Sequence, residues 1–353
     1  MKRWMMLTHR YLGLGAALAA LMLGLSGSLL LWPGVRAGLS ATAPLAAAPD
    51  YDALLAAVHR RYPGAGVEFY PGRQTRDTIA LRVRLATETR VLDMDPADAT
   101  FVRDVASRDD GRERLRTWHK TLGLGAGGRL VAGVAGIALF VLTLSGLASW
   151  WPRDWSRAWR LRRGRAPLRL ADWHRWCGAW FAPVLLVGTL SGSVLSFPAA
   201  PPPRPAQAVT AAATVPGSPP RHAPPAAAPA TVPALNRLVA VAAAALPGAR
   251  VSAVRIGAGQ PLRVRLRQPG DIHPNGNSVV EIDPVRGTVL RLTPYTRLSR
   301  TARLRAWLYA VHTGSVGGLP WRLTTLLAGL GLAGFGASGV WQWASRRRKR
   351  VAS

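Results

Sequence analysis

Cysteine is almost absent from this sequence: of 353 residues, only Cys177 is a cysteine. A single thiol excludes an intrachain disulfide and a thiolate metal cluster. It also excludes the C-x-x-C-H motif through which haem is attached covalently, so any haem bound to this chain must be held non-covalently. We interpret Cys177 as a packing residue of a helix.

Acidic residues are also scarce, with 17 Asp and Glu against 46 Lys and Arg, which gives a formal net charge of +29. Such an excess of positive charge favours nucleic acid, a membrane surface or acidic ligands as partners. The arginines are spread along the chain rather than collected in one block. We predict contact with membrane lipid and no nucleic-acid partner.

Charged residues are missing from the interior of four apolar runs, at about 12–32, 130–151, 176–197 and 323–343. Each run is long enough to cross a bilayer, and Trp and Phe cluster at the ends as interface anchors do. The first run is too long for the core of a typical signal peptide and ends in Trp32–Pro33, so we interpret it as a retained span. The lack of charge within the spans argues against an ion-coupled transport path.

The loops predict the orientation of the spans. A short arginine-rich segment joins the second and third runs, the N-terminus carries Lys2, Arg3 and Arg10, and the C-terminus reads "SRRRKRVAS". By the positive-inside rule these three parts lie in the cytoplasm. The two long loops, about 33–125 and 198–320, then face outward.

The chain repeats itself without gaps. "HRYLGLGAALAALMLGLSGSLLLWP" from His9 aligns with "HRWCGAWFAPVLLVGTLSGSVLSFP" from His174, and the segment from His119 aligns with that from His312. The long loops match more loosely, each with a helix, a Pro-Gly turn and short alternating strands such as "ALRVRL" and "PLRVRL". Parallel repeats of this kind imply a pseudo-two-fold axis along the membrane normal.

The predicted fold is an α-helical membrane protein: a four-helix transmembrane bundle of two parallel repeats, with two small α+β outer domains. Its predicted parts follow the chain in order: first span 1–32, first outer domain 33–118, second span 119–151, arginine-rich cytoplasmic loop 152–173, third span 174–197, Pro/Ala-rich linker 198–234, second outer domain 235–311, fourth span 312–345 and basic cytoplasmic tail 346–353. The linker composition predicts an extended segment without a packed core.

Four of the seven histidines stand at the mouths of the four spans. Repeat symmetry predicts that His9 faces His174 near the cytoplasmic surface and that His119 faces His312 near the outer surface. Opposed neutral imidazoles in an apolar bundle suit two b-type haems, each with two axial histidines. Zinc fits less well, because no acidic or thiolate ligand accompanies either pair.

Glycines and arginines near these histidines fit the same interpretation. Gly13, Gly123 and Gly178 follow a histidine by four residues and would leave room for a flat ring, whereas the glycines after His312 are spaced differently. The haem propionates have four candidate partners, which are Arg10, Arg175, Arg129 and Arg322. We interpret the Ser-Gly pairs of the spans as close-packing positions between helices.

The motifs "LTHRYLGLGAALAALMLGLSG", "WHKTLGLGAGGRLVAGVAGIALFVLTLSGLASWWPR", "DWHRWCGAWFAPVLLVGTLSGSVLSF" and "VHTGSVGGLPWRLTTLLAGLGLAGFGASGVWQW" together resemble the PepSY-associated transmembrane family. The likeness covers nearly the whole chain, and the outer domains resemble divergent PepSY domains. The resemblance implies a bacterial inner-membrane protein, and many members of the family are tied to iron uptake. Some members are haem-bearing reductases of ferric siderophores, and their motif histidines correspond to His9, His119, His174 and His312.

Other members of that family carry a flavin reductase domain. This chain has no such domain, so its electrons would come from a separate donor, a quinol or a cytoplasmic reductase. The leading hypothesis is an oxidoreductase: a di-haem electron conduit that reduces a ferric siderophore or another iron chelate at the outer side. The alternatives are a non-enzymatic protein that binds or regulates a partner, and a chelate permease. His59 and His273 are candidates for substrate contact in the outer domains.

Overall fold

The computed structural model describes residues 2–39, 48–71, 78–152, 166–198 and 234–351. Most of the predicted arginine-rich loop and nearly all of the Pro/Ala-rich linker lie outside the described residues, as do the last two residues of the predicted basic tail.

Four of the described helices are long and apolar enough to cross a membrane. They are α1 (Lys2–Leu39), α4 (Gly128–Trp150), α5 (Ala166–Ser196) and α8 (Gly318–Val351). Large apolar side chains such as Leu18 and Leu29 are exposed on their surfaces, which suits contact with hydrocarbon rather than water. The first helix runs past its predicted end at 32, with Pro33 inside it.

The four spanning helices form a bundle in which α1 packs against α4 and α8, and α5 packs against the same two helices. Helices α1 and α5 therefore lie diagonally opposite each other. Small residues permit the close contacts: a Cβ at Gly24 would collide with the carbonyl of Gly329. Serine hydroxyls add hydrogen bonds between helices, from Ser28 to the Leu326 carbonyl (3.0 Å) and from Ser193 to the Gly133 carbonyl (2.8 Å).

Two short helices precede spanning helices, namely α3 (Gly111–Thr121) before α4 and α7 (Arg300–His312) before α8. The second and fourth spans were predicted to begin at His119 and His312, whereas the spanning helices begin at Gly128 and Gly318. Backbone conformation explains the difference, since α3 is followed by Leu122 and Gly123 with φ of 51° and 77°, and α7 is followed by Gly314 with φ of 67°. A left-handed residue ends a right-handed helix.

The two predicted outer domains share one antiparallel sheet of eight described strands, in the order β4-β3-β2-β1-β5-β6-β7-β8. The strands are β1 (Gly66–Tyr70), β2 (Ile79–Arg84), β3 (Thr89–Met94), β4 (Phe101–Ala106), β5 (Arg250–Ile256), β6 (Leu262–Arg267), β7 (Ser278–Ile282) and β8 (Val289–Thr293). Strand β1 pairs with β5, Val67 opposite Ile256 and Phe69 opposite Val254. The two predicted small α+β domains are therefore joined through one sheet.

One face of the sheet is covered by α2 (Tyr51–Arg61) and α6 (Leu235–Ala244), and a single buried core runs under both helices. Alternation in β2 places Ile79, Leu81 and Val83 in this core. The two helix starts are tied together, because the Asp52 carboxylate accepts from the backbone N–H of Leu235 (2.6 Å) at the start of α6.

The other face of the sheet, called the open face below, points toward α3 and α7. Arg82 on β2 forms an ion pair with Glu113 on α3 (3.4 Å), and His273 in the β6–β7 loop stacks on Tyr309 of α7 with ring centres 4.7 Å apart. Since α3 and α7 lead into α4 and α8, the open face looks onto the end of the bundle where these spans begin. We call that end the sheet side and the opposite end the far side.

Candidate functional site

The far-side histidine pair consists of His9 on α1 and His174 on α5. These helices lie diagonally across the bundle, so their inward side chains meet on its axis. The two ring centres are 6.4 Å apart, and the ring planes make an angle of 86°. Phe335 on α8 packs edge-on against His174 at 5.1 Å between ring centres.

The sheet-side histidine pair consists of His119 near the end of α3 and His312 at the end of α7. Their ring centres are 6.3 Å apart, and the planes are tilted by 43°. The structure thus brings together the same two pairs that the sequence repeat predicts. It places this second pair on short helices beside the spans rather than on the spans themselves.

A serine holds Nδ1 of each histidine. The hydrogen bonds join His9 to Ser145 (3.1 Å), His119 to Ser26 (2.8 Å), His174 to Ser338 (2.9 Å) and His312 to Ser191 (3.1 Å). Two of the Nδ1 atoms also lie within hydrogen-bond distance of a backbone carbonyl, that of Leu142 for His9 (3.0 Å) and that of Gly188 for His312 (3.1 Å).

The serine hydroxyls determine which ring nitrogen carries the proton. Each hydroxyl already donates to a carbonyl of its own helix, as Ser26 does to Met22 (2.6 Å) and Ser191 to Val187 (2.6 Å), with similar bonds at Ser145 and Ser338. A hydroxyl has one proton to donate, so toward the imidazole the serine accepts. The Nδ1–H is the donor, and Nε2 keeps its lone pair for a ligand.

Glycines lie directly against three of these imidazoles. A Cβ at Gly146 would stand 2.8 Å from Cε1 of His9, one at Gly192 would stand 2.8 Å from Cε1 of His312, and one at Gly27 would stand 3.2 Å from Cε1 of His119. Each glycine follows the serine that holds the same histidine. The fourth, Gly339, has open space around it.

Sequence reasoning missed the role of these Ser-Gly pairs, which it assigned to helix packing alone. Their recurrence once in every span, at repeat-equivalent positions, was the available signal. The packing interpretation does apply to the second serine of each "LSGS" run, since Ser28 and Ser193 bond to neighbouring helices.

The glycines that were predicted to make room beside the histidines behave differently from one another. Gly13 faces Leu142 at ordinary contact distance, and Gly178 faces open space. Gly123 does not share a helical face with His119, because it lies beyond the end of α3 with φ of 77°. Its role is to turn the chain from α3 toward α4.

Three of the four predicted propionate partners, Arg129, Arg322 and Arg175, donate hydrogen bonds to other groups of the protein. Arg129 donates to the Leu195 carbonyl (3.3 Å), and Arg322 donates to the carbonyls of Gly34 (3.0 Å) and Gly314 (3.1 Å). These two arginines satisfy carbonyls near the ends of α5 and α1, as basic side chains do at helix C-termini.

The other two predicted propionate partners lie near the far-side pair. Arg175 pairs with the buried carboxylate of Asp172 at 2.6 Å. The guanidinium of Arg10 lies 5.8 Å from the ring centre of Tyr11. A guanidinium has five donors, so the bonds described here leave each arginine further capacity.

Burial keeps the sheet-side histidines neutral. It lowers the pKa of His119 to about 4, with smaller contributions from His312 and Lys120. Burial also lowers the pKa of His312, partly opposed by the Gly188 carbonyl. A metal is bound by the neutral form of histidine, so both rings are ready to act as ligands at neutral pH.

The geometry of each pair suits two axial ligands of one metal ion. With a metal–nitrogen bond of about 2 Å and the ring centre about 1 Å behind the nitrogen, two opposed imidazoles that share a metal have centres roughly 6 Å apart. Among the described residues no group of three or more His, Cys, Asp or Glu could hold a metal ion. Each pair could therefore supply two imidazole ligands to one metal ion, whose remaining ligands would come from outside this set of residues.

The two other candidate histidines are separated by the sheet. His59 on α2 lies on the helix-covered face, with Nε2 3.1 Å from the Ala65 carbonyl. His273 lies toward the bundle, stacked on Tyr309, which stands one turn before His312 on α7.

Comparison with known proteins bears on the whole chain. No curated protein matches it. A family model does, that of the PepSY-associated TM region, and it matches residues 6–346. The match takes in all four spanning helices, both histidine pairs and the sheet, so the chain belongs to this family and is a membrane protein.

Proposed function

We propose that each histidine pair binds one b-type haem non-covalently and that the protein conducts electrons across the membrane to a ferric chelate. The single observation that carries this proposal is the paired geometry. Ring centres lie 6.4 and 6.3 Å apart, and a serine engages each Nδ1, which leaves Nε2 for the metal.

The protein's own groups have distinct tasks in such a site. The four Nε2 atoms would hold the haem iron, and the serines would fix the tautomer and the orientation of each ring. A hydrogen bond from Nδ1–H also raises the basicity of the ligating nitrogen. Haem held there would supply a one-electron couple whose potential depends on the histidine ligands and on the surrounding dielectric.

The spacing of the two pairs suits transfer across a bilayer. The stretch of α1 from His9, in the far-side pair, to Ser26, which holds the sheet-side pair, spans roughly 25 Å at about 1.5 Å per residue. The hydrocarbon core is about 30 Å thick. The two sites therefore lie near opposite sides of the core, which brings one site close to a donor at one membrane surface and the other close to an acceptor at the other surface.

The proposed orientation puts the far side in the cytoplasm and the sheet side in the periplasm of a bacterial inner membrane. Lys2, Arg3 and Arg10 lie at the far-side end of α1, and the positive-inside rule places them in the cytoplasm. The far-side pair would then take electrons from a quinol or a cytoplasmic reductase. The sheet-side pair would deliver them.

The two halves of the chain act in this proposal as parallel repeats. His9 and His174 bond to serines of α4 and α8, and His119 and His312 bond to serines of α1 and α5. The sheet order likewise reads β1 to β4 on one side of its centre and β5 to β8 on the other. Both observations support an axis along the membrane normal.

The reaction is a one-electron reduction of iron in a chelate, from Fe(III) to Fe(II), with the electron taken from the donor at the far side. Fe(III) binds hard oxygen ligands more strongly than Fe(II) does, so reduction loosens the chelate. This chemistry serves iron acquisition, with a ferric siderophore or a related chelate as substrate.

The test is the visible spectrum of the full chain purified from membranes of haem-replete cells. We expect a reduced b-type α-band and about two haems per chain by pyridine haemochrome assay. His174→Ala and His312→Ala should each remove one haem, because each leaves its site with a single axial ligand. His59→Ala, on the opposite face of the sheet, is the matched control and should keep both.

A colourless wild-type protein would contradict the proposal that the chain binds haem. It would favour a membrane protein that binds or regulates a partner, or a chelate permease. Retention of both haems in both ligand variants would sink the assignment of the ligands.

A further inference from the structure

A cleft on the open face of the sheet is lined by Glu68, Ala253, Arg255, Arg263, Arg265 and Val279. These residues come from four neighbouring strands and form one continuous patch. Glu68 lies opposite Arg255, Arg255 opposite Arg263, Ala253 opposite Arg265, and Arg265 opposite Val279. The small side chains of Ala253 and Val279 leave space between the longer arginines.

Positive charge exceeds negative charge in this arginine cleft. Glu68 accepts from Arg255 (2.9 Å) and from the adjacent Arg84 (3.5 Å), so one carboxylate serves two guanidiniums. Arg263 pairs with Glu281 at 3.1 Å, and its side chain remains 52% exposed.

Arg265 completes the imbalance. Within the part of the chain that the structure describes, no carboxylate lies within ion-pair distance of the Arg265 side chain. Of the two neighbouring strands, β5 carries Arg255 and β7 carries Glu281. In and beside the cleft, four guanidiniums therefore stand against two carboxylates, and Arg263 and Arg265 are exposed.

The cleft shares its face with the contacts that reach the sheet-side histidines. Arg82, next to Glu68 across β1 and β2, pairs with Glu113 on α3, the helix that carries His119. At the other end, His273 stacks on Tyr309 of α7, the helix that carries His312. A molecule held in the cleft would lie on the same side of the sheet as that histidine pair.

We propose that the arginine cleft binds a small polyanion through its carboxylate oxygens, and that the ferric substrate is a chelate of this class. The guanidinium is a planar fork of N–H donors that matches a carboxylate with two parallel hydrogen bonds. Several forks on one rigid sheet face select a ligand with several carboxylates. The identification of this ligand as the substrate rests on the proposed function, whereas the anion site itself does not.

The test uses gallium(III) citrate, a redox-inert analogue of a ferric tricarboxylate chelate, titrated calorimetrically into the full chain in an uncharged detergent. We expect saturable binding that Arg265→Gln and Arg263→Gln each weaken by at least about ten-fold, since each removes charge-assisted hydrogen bonds. Arg265→Lys keeps the charge but not the fork and should recover only part of the affinity. Arg286→Gln removes an equal charge from an exposed turn and should bind like the wild type.

Absence of saturable binding overturns the proposal, as does equal weakening by Arg286→Gln, which would indicate attraction to net charge alone. Binding that persists in phosphatidylcholine nanodiscs but vanishes in phosphatidylglycerol nanodiscs also overturns it, because lipid headgroups would then fill the cleft. Arg265 and Arg263 are both exposed, and size-exclusion profiles of the two variants check the fold independently.

The measurement needs no haem, so it separates the two proposals. A colourless protein that binds gallium citrate through Arg265 contradicts the electron conduit and supports the anion site. A protein with two haems and no citrate binding supports the conduit and overturns the site.

Discussion

At the scale of single residues, the four histidines are alike in sequence position but not in their hydrogen bonds. His9 and His312 each have a backbone carbonyl near Nδ1 in addition to a serine. His119 and His174 depend on the serine alone among the described contacts. The four serines share one motif, but they differ in whether they are the only hydrogen-bond acceptor for the Nδ1–H of their histidine.

Removal of the serines should therefore have graded effects. Ser338→Ala and Ser26→Ala leave a buried Nδ1–H without an acceptor, at a cost of about 1–3 kcal/mol. Ser145→Ala and Ser191→Ala keep the carbonyl acceptor and should cost less. Haem retention during a chelating wash and the midpoint potential of each haem measure the effect, and equal shifts in all four variants would contradict it.

The same residues show why local sequence reasoning was incomplete. The pairing of His9 with His174 and of His119 with His312 was predicted from the repeat, because symmetry relates positions that are far apart in the chain. The serine partners were missed, because each lies on a different helix from the histidine it holds. Only helix packing shows which serine meets which ring.

At the scale of elements, the short helices α3 and α7 are the main departure from the prediction. Hydropathy and length located the four spans, and these properties need no tertiary contacts. The breaks at Gly123 and Gly314 depend on left-handed backbone conformations, and glycine permits these without requiring them. The sequence alone therefore did not determine whether His119 and His312 lie on the spanning helices or on separate short helices.

Close approach between elements leads to a prediction with a built-in control. A methyl group at Gly192 would meet the ring of His312, whereas one at Gly339, the glycine of the Ser-Gly pair in α8, would meet open space. We expect Gly192→Ala to displace the imidazole and to lower haem content or shift the spectrum of the sheet-side haem, and Gly339→Ala to leave both unchanged. Identical spectra for the two variants would show that the ring can shift without consequence.

At the scale of the whole molecule, the pairing of β1 with β5 makes one body of two sequence units. Phe69 on β1 is fully buried and packs edge-on against Tyr51 of α2, with ring centres 5.5 Å apart. Its cross-strand neighbour is Val254, from the second half of the chain. The core cluster contains residues of both halves.

Loss of this shared core should therefore destabilise both halves together. Phe69→Ala should cost about 3–5 kcal/mol, the usual range for a buried phenylalanine, and the sheet should still melt in a single transition. Hydrogen exchange at β2 and β6 provides the measurement, and faster exchange at β2 alone would argue for two independent domains. Val102→Ala, at an exposed edge position, is the control and should leave exchange unchanged.

The sequence by itself determined the membrane class and the four spans, and its internal repeat predicted the histidine pairs, because hydrophobic length and repetition are properties of the chain alone. The tertiary structure decided the rest: the serine that orients each imidazole, the fusion of two sequence units into one sheet, and the gathering of arginines from separate strands into one cleft. Each of these depends on contacts between residues far apart in the chain, and strand order and helix packing settle such contacts only when the whole chain folds.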